Sequence, residues 1–214
     1  MMSIFYEAVI YLSEVRLKKQ IVWGKNKMLK LYWHCATKHK CDEEFVQRSL
    51  QELTTYLEKP PTEIRMSYEK LDLEKAITIV RILETELLNN NKTVENSFED
   101  AQKKILKSGT LPVLIYCDPY SPIAKSIKQK QPRAEWGLYH EQISTVYRKG
   151  NKYILWHEAL HLFDVDDCYD INNRNGPLKC ELENCLMRYA PQQGKVARWP
   201  FLCKENIKLL KNYE

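Results

Sequence analysis

Two histidines and a glutamate sit inside an apolar stretch of this chain, Tyr153-Ile154-Leu155-Trp156-His157-Glu158-Ala159-Leu160-His161-Leu162-Phe163. Gly150-Asn151 marks a stop just before it, and Asn151 can cap a helix that runs through it. On a helix His157 and His161 stand one turn apart on one face and can reach a single ion. Glu158, directly after the first histidine, can reach a water held by that ion. The apolar neighbours bury the helix and keep the site dry, and a purely structural helix has little reason to carry these three groups there. Asp167, six residues beyond His161, offers a third ligand if the chain turns sharply after the helix.

The rest of the chain is that of an ordinary folded domain. At 214 residues it fits one domain, and 44% hydrophobic with 29% charged residues is the usual balance. No apolar run is long enough to cross a bilayer, so no membrane role is expected. The net charge of +5 is too small to argue for nucleic acid. Seven cysteines exclude a complete internal disulfide set. The N-terminus has no basic start, and Glu7 interrupts its short apolar stretch, so no signal peptide is read. A cytoplasmic, reducing location is therefore expected, where clustered cysteines more often bind metal than pair. Cys117, inside the apolar run 111–117, reads as a buried hydrophobe.

Periodicity predicts alternating strands and helices. Residues 3–19 read weakly as a helix and residues 24–26 as a turn, followed by a strand over 28–33. Asp42 is the expected cap of a helix with Phe45, Val46, Leu50, Leu53 and Leu57 on one face. Residues 62–68 alternate as a half-buried strand. Asp72 caps a helix to Leu88 with Leu73, Ile77, Val80 and Leu87 as its stripe, and a shorter helix over 97–107 stops near Gly109. Residues 111–117 form a buried strand, 118–134 a long loop, and 136–148 another strand. A short amphipathic helix spans 204–213. The order implies an α/β (α+β) layered domain with a mixed sheet. The tail from 165 onward is too small to hold itself together by core burial alone.

The segment around His157 resembles the metzincin zinc peptidases, whose pattern is His-Glu-x-x-His-x-x-Gly-x-x-His/Asp followed by a methionine turn. In that alignment Asp164 takes the glycine position and Asp167 the third ligand, with Asp164 and Asp166 as rivals. Asp tolerates the left-handed conformation better than most residues. The methionine turn falls on Cys185-Leu186-Met187-Arg188-Tyr189. The closest likeness is the archaemetzincin family. It implies a zincin fold with a twisted mixed sheet, an active-site helix and a small irregular C-terminal subdomain. A single peptidase domain follows, with 1–164 as its N-terminal α/β part and 165–214 as its zinc-stabilised C-terminal part.

The resemblance further implies a catalytic zinc on His157, His161 and Asp167, Glu158 as general base, Met187 as the floor and Tyr189 as an oxyanion donor. A second, structural zinc is implied on Cys168, Cys185 and Cys203. The family's fourth cysteine falls here on Asn206, and Cys180 can supply the missing thiolate. The expected partner is a peptide or protein substrate paired along the 136–148 strand, with the chain a monomer and nucleic acid an improbable ligand. His140, on that strand, is not expected to be a ligand. Two other readings compete. One is a gluzincin-like peptidase with Glu181 or Glu183 as third ligand, which leaves the Met187–Tyr189 turn without a purpose. The other is a non-catalytic zinc-stabilised binding module. The cluster His34, Cys35, His39 and Cys41 matches no zinc module in spacing and reads as the loop after the first strand; its one functional use would be a thiol that reaches the catalytic zinc.

Overall fold

A computed structural model describes residues 28–134, 136–147, 151–169, 180–182, 184–188 and 201–213, with only the backbone of Cys41. The expected helix over 3–19 and turn at 24–26 lie outside the described residues, as does Tyr189. The described chain runs β1 (Leu29–Ala36), α1 (Lys40–Leu57), β2 (Met66–Lys70), α2 (Leu73–Leu87), α3 (Val94–Ile105), β3 (Val113–Cys117), α4 (Pro122–Lys130), β4 (Gly137–His140), β5 (Ile143–Val146), α5 (Lys152–His161) and α6 (Lys204–Asn212). No helix among the described residues is long and apolar enough to cross a membrane.

The five strands form one mixed sheet in the order β2-β1-β3-β5-β4. β1 pairs in parallel with β2 and β3, β3 pairs in parallel with β5, and β4 closes the sheet antiparallel to β5. All five residues of β3 are buried, as a central strand covered on both faces requires. One face packs Leu31, Trp33 and Val146 against Leu50, Leu53 and Trp156 of α1 and α5. The other packs Ile115 and Ile143 against Ile79, Phe98 and Ile127 of α2, α3 and α4. Among the described residues of the tail, Leu186, Met187, Leu202 and Leu210 join the cluster that holds Trp156.

Five local expectations are corrected. His39, not Asp42, is the N-cap of α1, and it makes no side-chain cap bond. Asp42 and Glu43 instead occupy the first turn, where carboxylates favour the helix dipole. The buried stripe of α2 is Ala76, Ile79, Leu83, Glu86 and Leu87, while Leu73 is 70% and Ile77 41% exposed. A charged residue on the buried face disguises the true stripe. Glu86 is tolerated there because Lys92 and Lys104 both bond its carboxylate.

The loop expected over 118–134 contains α4. Pro122 opens it in the first turn, where proline is favoured, and Ser121 accepts a bond from the Ala124 amide at 3.2 Å. The single strand expected over 136–148 is a hairpin. It turns at Glu141, whose φ is 49°. Gln102 of α3 holds that turn, donating to Glu141 Oε2 at 2.7 Å and accepting from the Gln142 amide at 3.5 Å. The turn therefore depends on a tertiary contact and lacks the glycine or asparagine that marks such turns in sequence. The strand expected over 62–68 begins later, at Met66.

Candidate metal centre

The Asn151 side chain caps α5, accepting from the Tyr153 amide at 3.0 Å. From Ile154 to His161 every residue of α5 is buried. Trp156 anchors the helix to α1 by donating its indole N–H to the Ser49 carbonyl at 2.8 Å. A helix buried on all sides must satisfy each polar side chain it carries.

Both imidazoles are oriented by backbone carbonyls. His157 Nδ1 lies 3.2 Å from Leu186 O, and His161 Nδ1 lies 2.7 Å from Val165 O. A carbonyl can only accept, so each Nδ1 carries the proton and each Nε2 presents its lone pair. The two Nε2 atoms stand 3.0 Å apart. Asp167 Oδ1 lies 3.1 Å from the first and 3.5 Å from the second. With both rings neutral, three acceptors converge with no hydrogen among them, a donor set that suits a cation of the zinc type. The electrostatics of the two rings differ. Although burial opposes it, the Asp167 carboxylate holds the His157 imidazolium up, and the same two histidines hold Asp167 well below the carboxylate range. Burial and its charged neighbour push His161 the other way, toward the neutral ring a metal ligand must be.

The turn after α5 brings Asp167 back. Asp164 adopts a φ of 59°, the left-handed conformation expected at that position. Asp164 and Asp166 are exposed, so of the three rival aspartates only Asp167 faces the histidines. The Cys168 amide then donates to Met187 O at 2.8 Å, fixing this loop to the 185–188 turn. Met187 is fully buried in the cluster around Trp156.

Glu158 is buried, and its Oε2 makes no hydrogen bond. Burial first, then the nearby Asp167 charge, pushes its carboxyl up to about 7, with His157 and the Ser144 hydroxyl opposing. A carboxyl poised near neutrality can take and return a proton. Tyr139 stacks on His161 at 3.6 Å between ring centres, and burial and the surrounding carboxylates raise its hydroxyl to about 12.

A second cluster lies next to the first. The sulfurs of Cys168, Cys180, Cys185 and Cys203 all lie within 4.8 Å of one another. Cys168 Sγ is 3.6 Å from Cys185 Sγ and 3.7 Å from Cys203 Sγ, far beyond a disulfide bond. A zinc with four thiolates at ~2.3 Å has sulfur–sulfur edges of ~3.8 Å, so the spacing fits that ion. The Cys185 thiol is pulled down to about 6, first by Cys168 and then by backbone amides. Asn206 donates to Cys168 Sγ at 3.3 Å and to Asp166 O at 3.1 Å, so it borders the cluster without supplying a sulfur.

Among the described residues, the other expected ligands join neither cluster. Glu181 is exposed and outside both clusters, and Glu183 lies outside the described residues. β1 continues through His34 and Cys35, which point to opposite faces, and exposed His39 begins the next helix. His140 lies 3.8 Å from Glu99 and beside the Phe98 ring, on the sheet face away from α5. Sequence reasoning missed Gly137, Tyr139 and Ser144 beside the site. The alternation of a strand was there to read, but not the turn that sets the facing of its second half. Comparison of the chain with models of known protein families, with characterised proteins and with solved structures finds no match.

Proposed function

We propose that this protein is a zinc-dependent peptidase of the metzincin type, most similar to the archaemetzincins. The observation that carries the reading is the convergence of His157 Nε2, His161 Nε2 and Asp167 Oδ1, at 3.0 to 3.5 Å, beside a buried glutamate. The antiparallel edge strand, the left-handed residue at Asp164 and the buried Met187 are consistent with it. His157, His161 and Asp167 would hold the catalytic zinc, and the four cysteines the structural one. A zinc with three protein ligands supplies Lewis acidity, lowering the pKa of a water toward ~7 and polarising the scissile carbonyl.

The chain's own groups do the rest. Glu158 accepts the proton of the attacking water at its carboxylate and delivers it to the departing amine. The dry, apolar walls of α5 strengthen each of these interactions. β4, the last strand of the sheet among the described residues, offers main-chain groups to an extended peptide, which gives affinity without strong sequence demand.

The test uses the zinc-loaded chain and a mixture of fluorescence-quenched peptides. The parent should contain two zinc ions per chain by elemental analysis and cleave some of the peptides. Glu158→Gln should keep both ions and lose hydrolysis by a factor of ~100 or more. A Glu158→Gln protein that cleaves as fast as the parent removes Glu158 from its role. Zinc-dependent folding without any cleavage replaces the peptidase by a zinc-stabilised binding module.

A further inference from the structure

We propose that Gly137 and Ser144 form a niche that fixes the Glu158 carboxylate, which makes both of them positioning residues; that Glu158 moves protons rests on the peptidase reading above. The strand register sets the niche. Gly137 pairs with Val146 and Tyr139 with Ser144, so all four residues share one face of the hairpin. Val146 belongs to the core cluster that holds Trp156 and Ala159, whereas Ile143, next to Ser144, belongs to the cluster on the opposite face. The side with Gly137, Tyr139 and Ser144 is therefore the one turned toward α5.

On that side Gly137 leaves no room. A Cβ built on it would lie 2.8 Å from Glu158 Oε1 and 2.9 Å from Glu158 Cδ, closer than packed atoms approach. The backbone of Gly137 has no positive φ, so its conformation does not call for glycine; the space does. Ser144 is fully buried, and its hydroxyl makes no hydrogen bond. It stands diagonally across the hairpin from Gly137, on the side turned toward α5.

Glu158 Oε2 is likewise buried without a hydrogen bond. One carboxylate oxygen rests on a bare strand and the other has no donor. The group is held by the shape of its surroundings. A proton-transferring group displaced by 1 Å loses rate on the order of 100-fold, so the two small residues set the rate without touching substrate.

A methyl at 137 would also come within 2.8 Å of the Thr145 carbonyl oxygen, so Gly137→Ala alone can strain the hairpin for reasons unrelated to Glu158. A double-mutant cycle separates the two effects. Thermal melting of the metal-free chain compares Gly137→Ala in the parent and in the Glu158→Asp background, where the carboxylate is withdrawn by one methylene. The niche predicts a smaller loss of Tm in the Glu158→Asp background. Equal losses in both overturn it.

Ser144→Val thickens the other wall and leaves the Gly137–Thr145 contact alone. With zinc bound, it should keep the parent's zinc content and KM within about two-fold, and lose kcat by about 100-fold. Full activity in Ser144→Val also overturns the niche. If the zinc-loaded parent cleaves no peptide, the peptidase reading fails, and the melting cycle still decides whether Gly137 and Glu158 are coupled.

Discussion

Asp167 and Cys168 are neighbours in the chain, yet their side chains belong to different clusters. Asp167 Oδ1 lies 3.1 Å from His157 Nε2, and Cys168 Sγ lies 3.6 Å from Cys185 Sγ. One peptide bond therefore links the two candidate zinc sites, and the 2.8 Å bond from the Cys168 amide to Met187 O braces it.

This linkage predicts that the sulfur cluster governs affinity at the histidine site. Cys203→Ser, which removes a sulfur at the far end of the chain from Asp167, should eliminate one zinc. It should also weaken the remaining one by about 10- to 100-fold in chelator competition. Unchanged affinity at the histidine site would show that the two clusters are mechanically separate.

The turn after α5 predicts an unusual order of tolerance at Asp164, whose φ is 59°. Asp164→Gly should be as stable as the parent or gain slightly, since glycine adopts this conformation freely. Asp164→Val should lose about 1–2 kcal/mol in urea denaturation, because a β-branched residue clashes there. A valine variant of parental stability contradicts this account of the turn.

Far from the site, Glu86 predicts a pH signature. Bonds from Lys104 and Lys92 hold its carboxyl below the ordinary range despite its burial. A depressed folded-state value stabilises the fold above the unfolded carboxyl value of ~4.3 and loses that effect as pH falls through the folded value. Glu86→Gln should thus be less stable than the parent by about 1–3 kcal/mol at pH 7, and the gap should close on strong acidification. Since metal loss adds its own acid sensitivity, the difference between the two proteins at each pH is the quantity to compare. A gap that is constant with pH removes the charge from the explanation.

The site was far more legible in sequence than the sheet beside it. His157 and His161 are held together by one turn of helix, a covalent constraint that spacing alone reveals. Asp167 and three cysteines could be placed because the resemblance supplied a register, Cys180 was offered from outside it in place of Asn206, and the structure brings each set together. Where tertiary contacts decide, the sequence was silent. Gln102 makes the turn at Glu141, and two lysines make Glu86 acceptable on a buried face. The helix over 122–130 is a different case, since its Ser121 cap is local and was there to read. The niche around Glu158 could not be read at all, because which face Gly137 and Ser144 present depends on the turn at Glu141.

The four cysteines also bracket chain. Eleven residues separate Cys168 from Cys180, and 17 separate Cys185 from Cys203. Once the sulfurs are gathered, the ends of both stretches are pinned whatever lies between them. Doubling the length of such a stretch costs only about 0.6 kcal/mol in closure entropy. Away from the 185–188 turn, whose carbonyls hold His157 and Cys168, insertions and deletions in these two intervals should therefore leave Asp167 in place.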